Sequence, residues 1–211
     1  MSVILWLIAY GLIHFVFSGS ALPWLHGIVL LCYFALLIAV LLRRGKAKAF
    51  GLCLPRWSPM LLLIAVYPLC QLLLGGLTLP EPKDALLIVC WGFGEELLFH
   101  GWLPNALRHT RISESAEALL IAGLFAAAHL LRAELVLPAP EIQLVTAFAL
   151  GYLWSVLHRR CGSLFPAFAA HIFINLTASP ADSRRLILLC AVSLASAAAV
   201  LLIGHFKTSI T

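Results

Sequence analysis

Two adjacent carboxylates, Glu95 and Glu96, interrupt an apolar stretch, and His100 follows Glu96 by four residues. Downstream, Phe125 precedes His129 by four positions, and His171 precedes Asn175 by the same interval. Side chains four apart share a helix face, so each pair presents its groups together. The chemistry open to such a set is proton transfer by carboxylate and imidazole, with hydrogen-bond donation from imidazole and amide. Taken singly, each element has a plainer reading: a structural carboxylate knot, a satisfied polar histidine, an amide tying two helices. Three such elements in order on separate apolar segments are not explained so simply, and they point to one polar pocket.

Their surroundings make that pocket costly. The chain has 211 residues, 63% of them hydrophobic and 11% charged, with a mean hydropathy of +1.03. That is too little charge to cover a soluble domain of this size. Apolar runs such as residues 22–42 and 186–206 reach the roughly 20 residues that cross a bilayer. The expected fold is therefore all-α, a polytopic transmembrane bundle of about eight spans. They fall near residues 3–17, 22–42, 59–79, 84–107, 116–132, 142–158, 164–178 and 186–206, with breakers such as Leu54-Pro55-Arg56, Pro80-Glu81-Pro82 and Pro138-Ala139-Pro140 between them. One transmembrane domain over 1–211 is expected, with the polar elements in a core at 84–178. Residues 3–17 lack a basic leader and are followed at once by a second span, so they read as a retained helix.

Glu95 stands about eleven residues into its span, roughly 16 Å at 1.5 Å per residue. That is near the middle of a hydrocarbon core about 30 Å thick. Each charge there costs roughly 2.5–3.5 kcal/mol or more, so the two glutamates need polar partners, water or a shared proton. Gly123, Ala126, Ala127, Ala128, Ala169 and Ala170 let neighbouring helices approach closely enough to supply them.

The net charge of +5 is distributed in short clusters between apolar runs, which marks topology rather than nucleic-acid binding. With the N-terminus cytoplasmic, ten basic residues fall inside (Arg43, Arg44, Lys46, Lys48, Arg56, Arg108, Arg111, Arg159, Arg160 and Lys207) and four outside (Lys83, Arg132, Arg184 and Arg185). Both termini are therefore expected in the cytoplasm. The six cysteines show no CxxC spacing and read as small packing residues. His14 and His26 lie near span ends without carboxylate neighbours and read as interfacial or packing groups.

Glu95-Glu96 with Phe99-His100-Gly101, then Phe125-xxx-His129, then His171-xxx-Asn175, in that order over residues 84–178, resembles the CPBP family of intramembrane proteases. That family includes CAAX prenyl endopeptidases of the Rce1 type, bacteriocin-processing and self-immunity proteins, and bacterial protein-sorting proteases. The resemblance implies hydrolysis of a peptide bond in a membrane-associated protein, with Glu95, His129, His171 and Asn175 catalytic and no metal cofactor. It implies that Glu95 takes the proton of the attacking water, that His129 orients this water, and that His171 and Asn175 donate to the oxyanion. Glu96 and His100 support them. The family's first motif usually ends in arginine where this chain has His100, a group whose charge depends on pH.

Three alternatives use the same residues. Zinc on Glu95, His129 and His171 would leave a position for water, although no HExxH is present. A non-catalytic immunity or interaction protein retains the pocket without turnover. A small proton-coupled transporter needs buried Glu and His, yet no repeat of broken helices is visible. The expected partners are the lipid bilayer and a protein substrate of CAAX or C-terminal sorting type, without nucleic acid. The expected location is the bacterial inner (cell) membrane.

Overall fold

The computed structural model describes residues 3–17, 23–57, 61–77, 80–130, 140–177 and 182–208. Arg132, Ala178 and the Pro138-Ala139 pair lie outside the described residues, as do the side chains of His14, His26 and Lys207. Long Leu- and Ala-rich runs without β-branched clusters favour helix, and the described chain is an all-helical polytopic bundle. In order it contains α1 (Val3–Phe17), α2 (Pro23–Arg43), a short 3-10 turn (Ala47–Phe50), α3 (Leu62–Gly75), α4 (Pro82–Glu95), a π turn (Glu96–Trp102), α5 (Leu103–Leu107), α6 (Glu114–His129), α7 (Pro140–Cys161), α8 (Phe165–Leu176) and α9 (Ser183–Thr208). One isolated antiparallel bridge joins Leu77 to Thr177.

Local chemistry sets several ends. Pro82 and Pro166 occupy first turns, where a missing N–H costs nothing. Ser113 caps α6 by accepting from the Ala116 N–H at 3.2 Å. Gly76, at φ +91°, closes α3 by a backbone turn that other residues resist.

Among the described residues, three helices are long and apolar enough to cross a membrane by length and composition, at residues 84–107, 140–161 and 183–203. Helices α3, α6 and α8 have 14, 16 and 12 residues. At 1.5 Å per residue, α8 reaches only about 18 Å. The expected all-α bundle of about eight apolar helical segments is what the described residues form, with these three among its shorter members. With its long apolar helices, the chain is an integral membrane protein.

The span at 84–107 is not a plain α-helix. Its middle, Glu96–Trp102, is a π turn, closed by the Leu103 N–H on the Leu98 carbonyl. Pro104 explains part of this, because its ring excludes the carbonyl four residues back, that of His100, and it brings no N–H. Widening the preceding turn relieves both problems.

Helix α7 packs among α6, α8, α9 and the π turn, while α4 packs on α2 and α8. Close approach at two glycines sets the site. A Cβ on Gly94 would enter the Phe34 ring of α2, and one on Gly151 would meet Phe125 Cδ1 at 3.0 Å and Ala122 Cα at 3.3 Å. Gly94 therefore lets α2 close over the glutamates, and Gly151 lets α6 and α7 touch.

Candidate active site

The last turn of α4 and the π turn present Glu95 and Glu96 to the bundle interior, 2% and 0% exposed. Helix α8 brings His171 against both. Its Nδ1 lies 2.8 Å from Glu96 Oε1, and its Nε2 lies 3.7 Å from Glu95 Oε2. An ionised carboxylate only accepts, so the Nδ1–H donates and orients the ring. At 3.7 Å the second approach is an electrostatic contact, longer than a hydrogen bond.

The other oxygen of Glu96 faces His100 Nδ1 at 3.0 Å. His100 Nε2 meets the Gly151 carbonyl at 3.1 Å, and a carbonyl can only accept, so that nitrogen carries a proton. For the Nδ1 contact to attract, a second proton must lie between His100 and Glu96. Glu96 is thus held on both oxygens, by a histidine of its own turn and by one from α8. Arginine in place of His100 would bring a fixed charge; the imidazole brings a proton that can leave.

Glu95 has a different clamp. The Tyr10 hydroxyl of α1 donates to its Oε1 at 2.8 Å, and the Tyr10 ring meets Phe99 edge-on at 6.0 Å. His129, at the end of α6, donates from Nδ1 to the carbonyl of Phe125 at 2.8 Å. That bond fixes its tautomer and leaves the Nε2 lone pair available. Phe125 stands between the rings, with centroids 4.9 Å from His129, 6.0 Å from His171 and 5.4 Å from His100. Trp154 stacks on His171 at 5.2 Å with planes 29° apart. These rings hold the imidazoles in an apolar frame where hydrogen bonds are stronger than in water.

A cavity of about 250 Å³ opens beside them, lined by His129, His171 and Asn175 together with Gln71, Gln143 and Thr146. Asn175 is exposed and makes no side-chain hydrogen bond among the described residues. The glutamates stand behind His171, outside that lining. Glu95, Glu96, His100 and His171 are therefore in one contact cluster. His129 and Asn175 line the cavity together with His171. The arrangement offers a buried carboxylate for proton transfer, an oriented imidazole beside it, and free imidazole and amide groups facing space.

Sequence reasoning overlooked Tyr10, Trp154 and the glutamines. Tyr10 is separated from Glu95 by 85 residues, and a tyrosine in a first span gives no spacing signal. Gln71 is legible in retrospect as an uncharged polar group in an apolar run. It donates to the carbonyls of Ile174 and Thr177, at 2.9 and 3.2 Å, and ties down the end of α8. Among the described residues no three His, Cys, Asp or Glu side chains are arranged to hold a metal ion.

Residues 82–177 match the family model described as Rce1-like, type II CAAX prenyl endopeptidase. No curated relative and no solved structure matches the chain.

Proposed function

We propose that this chain, whose residues 82–177 match the Rce1-like family model, is a CPBP-type peptide hydrolase that cleaves a membrane-associated protein substrate by a metal-free glutamic mechanism centred on Glu95. The catalytic core is residues 84–178, supported by the family match over 82–177. The observation that carries the reading is His171, clamped through Nδ1 by Glu96 with Nε2 turned toward Glu95.

Glu95 takes a proton from water as that water attacks the scissile carbonyl, and Tyr10 steadies the carboxylate through its other oxygen. His129, with its proton committed to Phe125, accepts from the same water through Nε2 and orients it. The oxyanion then needs donors. Asn175 supplies one from its amide. His171 supplies another from Nε2 when both ring nitrogens are protonated, a cation that the Glu96 carboxylate neutralises. A well-placed donor of this type contributes about 3–4 kcal/mol to transition-state stabilisation. Glu95 finally gives its proton to the departing amine. Glu96 and His100 position His171 and do not touch the substrate.

The substrate class is a protein with a CAAX-type end or a C-terminal membrane-sorting segment. The enzyme resides in the bacterial inner membrane with both termini cytoplasmic, a placement supported by the ten-to-four distribution of basic residues. Comparing membrane proteins by mass spectrometry in cells carrying the wild type or Glu95→Gln tests the activity. Loss of one processed C-terminal fragment is expected, and an unchanged set of termini would sink the protease reading. Zinc on Glu95, His129 and His171 is the competing chemistry. Metal analysis of the purified protein, with cleavage assayed after chelation, decides it: activity proportional to bound zinc rejects the glutamic mechanism.

A further inference from the structure

A second cavity lies at the end of the bundle formed by the basic loops, and the proteolytic site does not use it. The segment after α2 and the α7–α8 turn are joined there. The Arg56 N–H donates to the Cys161 carbonyl at 2.8 Å, and the Leu164 N–H to the Gly51 carbonyl at 2.9 Å. The space measures about 1150 Å³, and Lys48, Arg56, Arg108 and Arg159 line it. Glu114 and Glu117 line it too, but both pair with Arg159, at 3.6 and 2.8 Å. Lys48, Arg56 and Arg108 have no ion-pair partner among the described residues, and all three are exposed.

Three cations without an ion-pair partner among the described residues, two on the loop after α2 and Arg108 at the end of α5 near Glu117, stand around one concavity and suit an anion with several acceptor oxygens. The same loop carries Leu54 and Trp57, 86% and 77% exposed. Such groups are unfavourable in water, whereas tryptophan at headgroup depth anchors membrane proteins. Charge for a phosphate and apolar surface for acyl chains therefore stand side by side. This end also carries the basic excess that marks the cytoplasmic leaflet, where anionic lipids concentrate. We propose that the cavity binds the phosphate headgroup of an anionic phospholipid. Bound there, the phosphate joins the loop after α2 to the end of α5. The site reaches inward as far as Ser155, which lines the cavity and donates to the Gly151 carbonyl at 2.8 Å, the acceptor that His100 also uses.

The test uses full-length protein in nanodiscs of phosphatidylcholine doped with phosphatidylglycerol, released and weighed by native mass spectrometry. Retention of one phosphatidylglycerol is expected. Affinity should fall about tenfold in each of Lys48→Gln, Arg56→Gln and Arg108→Gln, since each removes a charge-assisted hydrogen bond. Arg160→Gln, an exposed arginine at the same end outside the lining, should retain the lipid fully. Thermal unfolding of each variant separates lost binding from lost folding, and three variants guard against one failing to fold. Equal loss in Arg160→Gln, or equal retention of phosphatidylcholine, overturns the site. Inorganic phosphate that stabilises the protein through the same three cations, without retained phosphatidylglycerol, overturns the lipid as its ligand.

Discussion

Replacing Glu96 tests the centre of the cluster without knowledge of the substrate. Glu96→Ala removes the acceptor for His171 Nδ1 at 2.8 Å and the ion-pair contact of His100 Nδ1 at 3.0 Å. Each buried donor left without a partner costs about 1–3 kcal/mol, and breaking a buried charged arrangement from one side costs about 3–5 kcal/mol in all. At about 2–4 °C per kcal/mol for a chain of this size, the Tm should fall by about 10–15 °C. Glu96→Gln keeps one acceptor oxygen and turns an amide N–H₂ toward the other histidine, so about half that drop is expected. Glu95→Gln preserves an acceptor for Tyr10 and should stay within about 3 °C, a loss near one neutral hydrogen bond. Far-UV circular dichroism reads the transition in detergent, because the described fold is all-helical. A Glu96→Ala protein within about 2 °C of wild type, or a Glu95→Gln protein that falls as far as it does, would refute the assignment of Glu96 as the residue on which the site is built.

Other perturbations address single contacts. Tyr10→Phe removes the 2.8 Å bond to Glu95 and should lower kcat about five- to tenfold with KM unchanged, as loss of about 1 kcal/mol implies; steady-state cleavage of the identified substrate measures it. Gly94→Ala drives a methyl into the Phe34 ring and should cost about 1–3 kcal/mol, with Phe34→Val restoring most of the Tm. His100→Arg restores the family's usual residue but must fit beside Phe125 and Trp154, at 5.4 and 6.0 Å. Overpacking of about 1–3 kcal/mol is expected, read as a lowered Tm; an unchanged Tm would show that the site has room for the longer side chain.

Hydropathy made the order of the helices legible, because burial in lipid is read residue by residue. It was less informative about ends. The third segment looked apolar across residues 59–79, yet the described α3 stops at Gly75, where Gly76 takes a positive φ. The π turn was not legible either, since α and π turns share the same apolar pattern and differ by one residue of winding. Only Gly101 and Pro104 hinted at it. The spacing of Glu96 and His100 was enough to expect their contact, which is local to one turn. The bond from His171 to Glu96 spans 75 residues, and its geometry depends on the packing of α8 against α4, which no spacing encodes. Tyr10 on Glu95 is the same case. Tautomers also had to wait for the fold: the free Nε2 of His129 follows from the neighbouring Phe125 carbonyl.

The shortness of α8 has a consequence for how water arrives. A helix of 12 residues, about 18 Å long, leaves roughly 12 Å of a 30 Å hydrocarbon layer unspanned. Near its C-terminal end Gln71, Asn175 and Thr177 line the cavity, and of these Asn175 is exposed while Gln71 and Thr177 are buried. A bilayer beside so short a helix is expected to thin toward it, which would bring headgroup water closer to His129 and His171. A hydrolase embedded in oil needs its second reactant delivered, and here hydrophobic mismatch becomes the delivery route. Membrane thickness then acts as a control on rate: longer acyl chains should slow cleavage by starving the site of water, with the protein itself unchanged.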